Sequence, residues 1–367
     1  MCVGCGSAQP APSESEQHVP AAVAPPELAV AIAISDTHAC VRGADGSVWC
    51  WGNNLAGELG SPDAVSLNRL PHSVRAIAID VGPGMTCLCD EAGETWCWGY
   101  HGEGSPDRSG GRRVGVGRCL AVGVGRHAAC ALTRDGAVQC WGRAGTEAEV
   151  SLGERPAAEL PLIGPRTAGW HDEPMLIGVV PGATQLSLAN AHACVATTRS
   201  IHCWGSDRRS QLSEGAIVDG MVVPPLPQGT TVTSVATGWD HTCVLQSGGI
   251  VCFGAGAQGA EFPAALELTS IAAGEGRTCA LSNAGALLCW GREFGVPLGA
   301  PNPSFIRPTL VAEDTAAFDL GTDSVCTVDR ENRVRCWGMI LATTGTTVDG
   351  DPSQPPGALL FGVPPEE

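Results

Sequence analysis

Lysine is absent from all 367 residues, so the 21 basic side chains are all arginine, set against 38 acidic ones for a formal net charge of −17. That balance makes nucleic acid a poor partner, because binding to a phosphate backbone draws on clustered cations. Tyr100 is the single tyrosine. No apolar run reaches the roughly 18 residues that a membrane-crossing helix needs, so no transmembrane span is expected in the chain as given. Equally missing are a G-x-S-x-G elbow, a P-loop, an H-E-x-x-H pair and a dinucleotide fingerprint. The carboxylates are scattered through connections, and no pair is assigned to acid–base work. The chain is therefore read as not an enzyme, with no catalytic residue, no cofactor and no metal site.

Cysteine, by contrast, is abundant, with 18 residues. Fourteen of them form seven pairs nine or ten residues apart: Cys40 with Cys50, Cys87 with Cys97, Cys130 with Cys140, Cys194 with Cys203, Cys243 with Cys252, Cys279 with Cys289, and Cys326 with Cys336. Between the partners lie two short strand-like runs, ACV and SVWCW in the first copy, separated by a turn signal. Each copy reads as a hairpin. Cysteines placed symmetrically about a hairpin turn face each other at roughly 4.5 to 5.5 Å between Cβ atoms, close to disulfide range. Zinc would want short knuckles that bring four ligands together, and these pairs are too far apart for that. Seven intra-hairpin disulfides are expected. Cys89 and Cys119 are left over and could bridge the second and third copies. So many cysteines at hairpin spacing argue for an oxidising compartment, since cytosolic thiols are kept reduced.

Six residues after the first cysteine of each pair stands Gly46, Gly93, Gly136, Ser200, Gly249, Gly285 or Asn332, mostly residues that accept a positive φ. After the second cysteine come an aromatic ring and a glycine: Trp51, Trp98, Trp141, Trp204, Phe253, Trp290 and Trp337, then Gly52, Gly99, Gly142, Gly205, Gly254, Gly291 and Gly338. One large ring per copy, always at one place, is what a repeat architecture uses to fill the seam between neighbours. Each hairpin is preceded by a small-residue apolar run suited to strands crowded around an axis. Five of these runs end in glycine, at Gly82, Gly125, Gly238, Gly274 and Gly321, where a tight turn into the hairpin is expected.

The units resemble regulator of chromosome condensation repeats, whose pattern combines a G-x-x-H segment, a D-G turn, a W-G pair and a trailing N-x-x-G-x-L-G. The first copy carries it best, with His38, Asp45, Gly46, Trp51, Gly52, Asn54, Gly57, Leu59 and Gly60. Echoes of the trailing segment stand at Gln211-Leu212 and Leu298-Gly299. The resemblance covers about residues 28 to 360 and implies an all-β fold, a seven-bladed β-propeller of four-stranded antiparallel blades around a shared channel. His38, His192 and His241 precede a first cysteine by two residues, but Met85, Ala128, Arg277 and Ser324 take that place in other copies. A position that varies so freely is not expected to be catalytic.

Residues 1–27 read as an N-terminal tether, rich in proline, alanine, serine and glutamate without apolar period. Val3-Gly4-Cys5 resembles the cleavage end of a bacterial lipoprotein signal, in which case Cys5 would carry the lipid anchor; a chance C-x2-C formed by Cys2 and Cys5 in an unprocessed chain is the other reading. Residues 28–367 are assigned to the propeller, with an insertion at about 143–183. Within it Trp170-His171-Asp172-Glu173 is the one local cluster with binding character, although without a second histidine or carboxylate pair at ligand spacing a plain surface loop is the preferred reading. Arg108, Arg112, Arg113, Arg118 and Arg126 form a basic stretch that a solvated loop also explains. The run ALLFGV, residues 358 to 363, is expected to supply the outer strand of the last blade.

The function expected is that of a non-enzymatic extracytoplasmic binding or scaffold propeller, monomeric, in the cell envelope or secreted. Its partner would be a protein or a surface polymer met through the interblade loops, with any membrane attachment made by the lipid alone. The alternatives are an inhibitor of a secreted enzyme, an exchange-factor-like regulator of a small GTPase, and an undetected enzyme.

Overall fold

The computed structural model describes residues 28–361 except 62, 65–66, 72–73, 100–110, 127, 145–168, 190–191, 219, 256–259, 261, 264–265, 292–304, 323 and 339–358, and only the backbone at 143–144, 169–172, 305–307, 337–338 and 359–361. Within these residues every regular element is a strand, and the strands form seven antiparallel sheets in chain order. Each sheet is one blade of a seven-bladed β-propeller. The inner strands are Ala29–Ile34, Ala76–Gly82, Cys119–Val124, Gln185–Leu188, Val232–Thr237, Leu268–Ala273 and Thr315–Leu320 in blades 1 to 7.

Five blades have four strands. Blade 4 has five, because Ala216–Val218 adds a hairpin outside Met221–Val223, and blade 5 has three among the described residues. Blade 4 thus exceeds the expected four strands by one. The run after the last cysteine pair supplies Leu359–Phe361, which pairs with Val334 and Arg335 as the outer strand of blade 7.

Eight disulfides form among the described residues. Seven join directly opposed residues of one hairpin, from Cys40–Cys50 to Cys326–Cys336, with Cα atoms 4.0 to 4.2 Å apart. The eighth, Cys89–Cys119, crosses from the second strand of blade 2 to the inner strand of blade 3. At the hairpin turns Gly46, Gly93, Gly136, Gly249, Gly285 and Asn332 adopt positive φ. Ser200 does not, because Thr197 closes that turn with its hydroxyl.

Adjacent strand residues point to opposite faces, and this decides how blades meet. The cysteine of the third strand faces one seam and the ring that follows it faces the other. Seven hydrophobic clusters result among the described residues, one per seam. Cys40 and Cys50 of blade 1 share a cluster with Trp98 of blade 2. Cys130 and Cys140 meet Trp204, and Cys243 meets Trp290, in the same manner. At ring closure Cys326 and Cys336 of blade 7 meet Trp51 of blade 1. In the seam after blade 4, Phe253 stands where the indole stands elsewhere.

The histidines have a seam role as well. His38 Nε2 lies 2.7 Å from Thr86 Oγ1 of the next blade, His192 Nε2 2.9 Å from Thr242 Oγ1, and His241 Nε2 3.0 Å from Thr278 Oγ1. Thr86 and Thr242 donate their single hydroxyl proton onward, to the carbonyls of Glu58 and Gln211 at 2.8 Å. Each of these two hydroxyls must therefore accept from the imidazole, which fixes the Nε2–H tautomer. Where a blade has Met85, Ala128, Arg277 or Ser324 in place of histidine, the next blade has Ala129, Ala193, Val325 or Ala39 in place of threonine. The histidine varies along the chain, but it varies together with its partner.

The glycines that end the inner strands need a different explanation from the one expected. None of Gly82, Gly125, Gly238, Gly274 and Gly321 has a positive φ. A Cβ on Gly82 would lie 2.5 Å from the Gly125 carbonyl oxygen, one on Gly125 2.3 Å from that of Ala189, and one on Gly274 2.4 Å from that of Gly321. Backbone packs on backbone in a collar around one end of the channel.

Thr86→Ala should destabilise the protein by about 1 to 3 kcal/mol, because it strands a buried imidazole donor and removes the donor to Glu58. Adding His38→Met reproduces the Met85–Ala129 pairing of the next seam and should recover part of that loss in urea unfolding. A double variant no more stable than Thr86→Ala alone would show that the two positions are not coupled.

Candidate functional site

Seven inner strands pair on one edge only, leaving backbone groups of the other edge to face the axis. Side chains of the preceding blade cap many of them. Asp80 Oδ2 accepts the Val124 N–H at 2.7 Å, Asp319 Oδ2 accepts the Ile34 N–H at 2.8 Å, and Ser187 Oγ accepts the Thr237 N–H at 2.9 Å. Gln185 and Ser234 do the same for Val235 and Ile271. The polar residues inside otherwise apolar strands are thus edge caps. In strand register Asp80, Ser187 and Asp319 each stand opposite the first cysteine of their blade, where the other blades have Ala33, Gly123, Ala236 and Ala272.

Around the axis these strands enclose a cavity of about 320 Å³ that opens at the glycine collar. Asp80 and Asp319 line it and act on each other electrostatically. Each keeps part of its surface on the channel although protein surrounds it at depth. Burial, followed by the nearby charge of Asp319, pushes Asp80 up to about 8. Burial pushes Asp319 up to about 7, against two backbone N–H groups that favour its ionised form.

The collar opens onto a ring of short turns, in which the residue before the turn donates its N–H to the carbonyl of the residue three further on, as Gly125 does to Ala128. The next residue of each turn forms the rim: Asp36, Pro83, Arg126, Trp239, Glu275 and Thr322 among the described residues. No two are alike. Arg126 and Pro83 are exposed, and Trp239 is partly so, its backbone N–H reaching the Gly274 carbonyl at 3.3 Å. This contrasts with the seam positions, where cysteine, tryptophan and glycine return in copy after copy.

The sequence-expected cluster is not part of this rim. Trp170, His171, Asp172 and Glu173 lie on the outer strand of blade 3, Gly169–Val179, with His171 opposite Gly142 and Trp170 opposite Arg143. Glu173 is exposed and 3.5 Å from Arg112. A strand there was hidden by Pro174, which an edge strand tolerates. Of the basic stretch, Arg113 pairs with Glu94 and Arg118 with Asp135, so three of its arginines have acidic neighbours. Arg108, Cys2, Cys5 and Leu298-Gly299 lie outside the described residues. No group of three or more metal-ligating side chains occurs among the described residues. The rim and the two channel carboxyls were missed; the signal available was an aspartate in each of the apolar runs AIDVG and AFDLG.

Residues 29–58, which make the first hairpin and its trailing loop, match the family model for the Regulator of chromosome condensation (RCC1) repeat. The chain is a seven-bladed propeller whose first repeat matches the RCC1 type. Human WBSCR16 superposes with a TM-score of 0.64 at 17% identity, over 82% of this chain and 86% of that one. The ectodomain of the Physcomitrella patens receptor kinase CR4 gives 0.52 at 21% identity, over 84% and 72%. Prp20p of Saccharomyces cerevisiae gives 0.51 at 17% identity, over 89% and 76%. No curated protein matches the chain in sequence. These likenesses concern the fold. Among the described residues no helix is long and apolar enough to cross a membrane.

In this propeller the buried histidines and the channel aspartates act on stability from opposite sides. Burial lowers His38 and His192 to about 3 and His241 to about 4, against 6.5 when free. Below about pH 6.5 the unfolded chain binds protons on these three groups that the folded ring refuses, so stability falls as pH drops. Asp80 and Asp319 hold protons in the folded ring up to about 8 and 7, whereas the unfolded chain releases them near 3.8. Their contribution therefore falls as pH rises through that window. With three groups against two, stability should peak near about pH 6.5. Asp80→Asn and Asp319→Asn, which keep an oxygen for the capped N–H, should flatten the alkaline limb in thermal melts. An unchanged limb in both variants would show that other groups set it.

Proposed function

We propose that this RCC1-like propeller is a non-enzymatic, extracytoplasmic protein-binding or scaffold module that meets its partner at the collar-side rim. The observation that carries this reading is the division of the repeat into uniform and diverse positions. Seam positions recur because they close the ring, whereas Asp36, Pro83, Arg126, Trp239, Glu275 and Thr322 occupy one equivalent place with five different chemistries, Asp36 and Glu275 sharing the carboxylate. A rigid ring needs no such diversity for itself, and loops on a rigid scaffold are where recognition tends to sit. A part-exposed indole and an arginine are the side chains most often dominant in protein interfaces. Eight disulfides support an oxidising setting. Of the similar structures, Prp20p is described by its binding to Gsp1p and histones, and CR4 is a receptor ectodomain. Attachment through a lipid on Cys5 would tether such a module to a membrane and leave the rim free.

Photo-crosslinking residues placed at 36, 126 and 239 should capture one extracytoplasmic protein in common, while the same group at Leu310 on an outer strand captures none. Trp239→Ala should weaken that partner at least about tenfold. Capture from the outer strand with none from the rim would refute the reading, as would turnover of a substrate that depends on rim residues.

A further inference from the structure

The channel beneath the rim has a composition of its own. Its cavity of about 320 Å³ is walled by strand edges, which present backbone groups, and by Asp80, Ser187, Thr237 and Asp319. Ser187 and Thr237 hydroxyls already bond each other at 2.9 Å, and the two carboxyls, although Asp80 accepts the Val81 and Val124 N–H groups and Asp319 that of Ile34, are the strongest acceptors with surface left on the channel. They come from blades 2 and 7, on either side of blade 1, and their charges repel across the same space. Neither faces a cation: among the described residues lining the cavity, Arg126 is the one basic side chain, and it is exposed on the rim. The other titratable groups at the opening are Asp36 and, on the turn beside Gly274, Glu275. Asp36 is committed to the Thr322 N–H at 3.0 Å.

Independent of the acids, the opening has an indole that no seam uses. Trp239 lines the cavity at the rim and keeps part of its surface open. It is not one of the repeated ring positions, and its place in the turn is held by non-aromatic residues in the other described blades. An aromatic face at the mouth of an acidic channel suits an alkyl stem ending in a cation. The depth suits it too. Asp80 and Asp319 stand two residues before Gly82 and Gly321, about 7 Å below the collar at ordinary strand rise, within reach of a four-carbon stem entering from above. The overall charge of −17 favours approach of a cation to such a narrow acidic opening.

We propose that the channel is a receptor for one alkylammonium or guanidinium group, its stem against Trp239 and its cation between Asp80 and Asp319. The proposal rests on the reading of the rim as a partner surface insofar as a protein would present that group as a lysine or arginine side chain. It stands without that reading if the source is a free amine. Because Asp80 and Asp319 are held up to about 8 and 7, bringing in a cation expels a proton, and affinity should rise with pH through neutrality while the amine stays charged.

The test is calorimetric titration of the full chain with n-butylammonium, with butyramide as its uncharged match, and with a hexapeptide bearing one central lysine or norleucine. Binding of butylammonium or of the lysine peptide, without their uncharged matches, supports the site; the arm that binds more tightly identifies the source. Affinity should rise several-fold from about pH 6 to about pH 8 and fall about tenfold or more in both Asp80→Asn and Asp319→Asn. Both variants keep an oxygen for Val124 or Ile34, and thermal melts confirm that each is folded. Equal binding of charged and uncharged probes, no binding of either charged probe, or affinities unchanged in both variants would overturn the proposal. A partner captured at the rim whose affinity ignores both aspartates would leave the rim reading intact and the channel site refuted.

Discussion

The structure depends on the alternation of side chains along one strand. Cysteine and the ring that follows it are neighbours in sequence and so must leave a strand on opposite faces. A disulfide on one face and an indole on the other make each blade complementary to a copy of itself. Cys130–Cys140 against Trp204 and Cys243–Cys252 against Trp290 are the same joint made twice. The bridge also holds the two strands in register, since a slip of one residue would exchange the faces. Each bridge closes a loop of nine or ten residues and should contribute roughly 2 to 3 kcal/mol by the chain-entropy account.

This joint is apolar and leaves the inner strands' free edges unsatisfied, which explains where polar residues intrude. Buried backbone groups need partners, and the caps from Asp80, Ser187, Ser234, Gln185 and Asp319 provide them across the seam. Serine and glutamine do this without charge. Aspartate does it at the cost of a buried carboxyl, which is why Asp80 and Asp319 stand out electrostatically in a ring whose other caps are neutral. Had edge capping been their whole purpose, a serine such as Ser187 would have met it.

Much of the fold was legible because it is written in short-range spacing. Cysteines ten residues apart around Gly46 or Gly136 specify a hairpin, its bridge and the direction of its ring, and seven repetitions specify the circle. What was hidden lies between repeats. Nothing near His38 announces Thr86, 48 residues away, and the link becomes visible only when the His–Thr and Met–Ala pairings are read from one blade to the next. Gly125 looked like a turn residue, whereas its small size serves the next blade's Ala189 carbonyl. Blade 3's outer strand was obscured by Pro174 and by two shifts of register against Ala137–Ala144. Asp80 and Asp319 read as ordinary scattered acids until the strands around them formed a channel.

The first and last blades meet at the seam that closes the ring. Among the described residues no strand is exchanged between the ends: Ala29–Ile34 belongs to blade 1 and Leu359–Phe361 to blade 7. Every other seam joins blades that the chain itself connects, but the last must hold partners nearly 300 residues apart by contact alone. Polar links gather there. Asp319 takes the Ile34 N–H, the Asn332 carboxamide oxygen takes the Ala29 N–H, and Asp36 takes the Thr322 N–H, around the apolar joint of Trp51 with Cys326 and Cys336. At three other turns a glycine carbonyl receives the next blade's inner strand, Gly46 for Ala76, Gly93 for Cys119 and Gly285 for Thr315; at closure the side chain of Asn332 receives Ala29 instead. Asp319 thus serves both the channel and the one seam without a covalent connection. Whatever changes its charge acts at the same time on the interior of the ring and on the joint that keeps it closed.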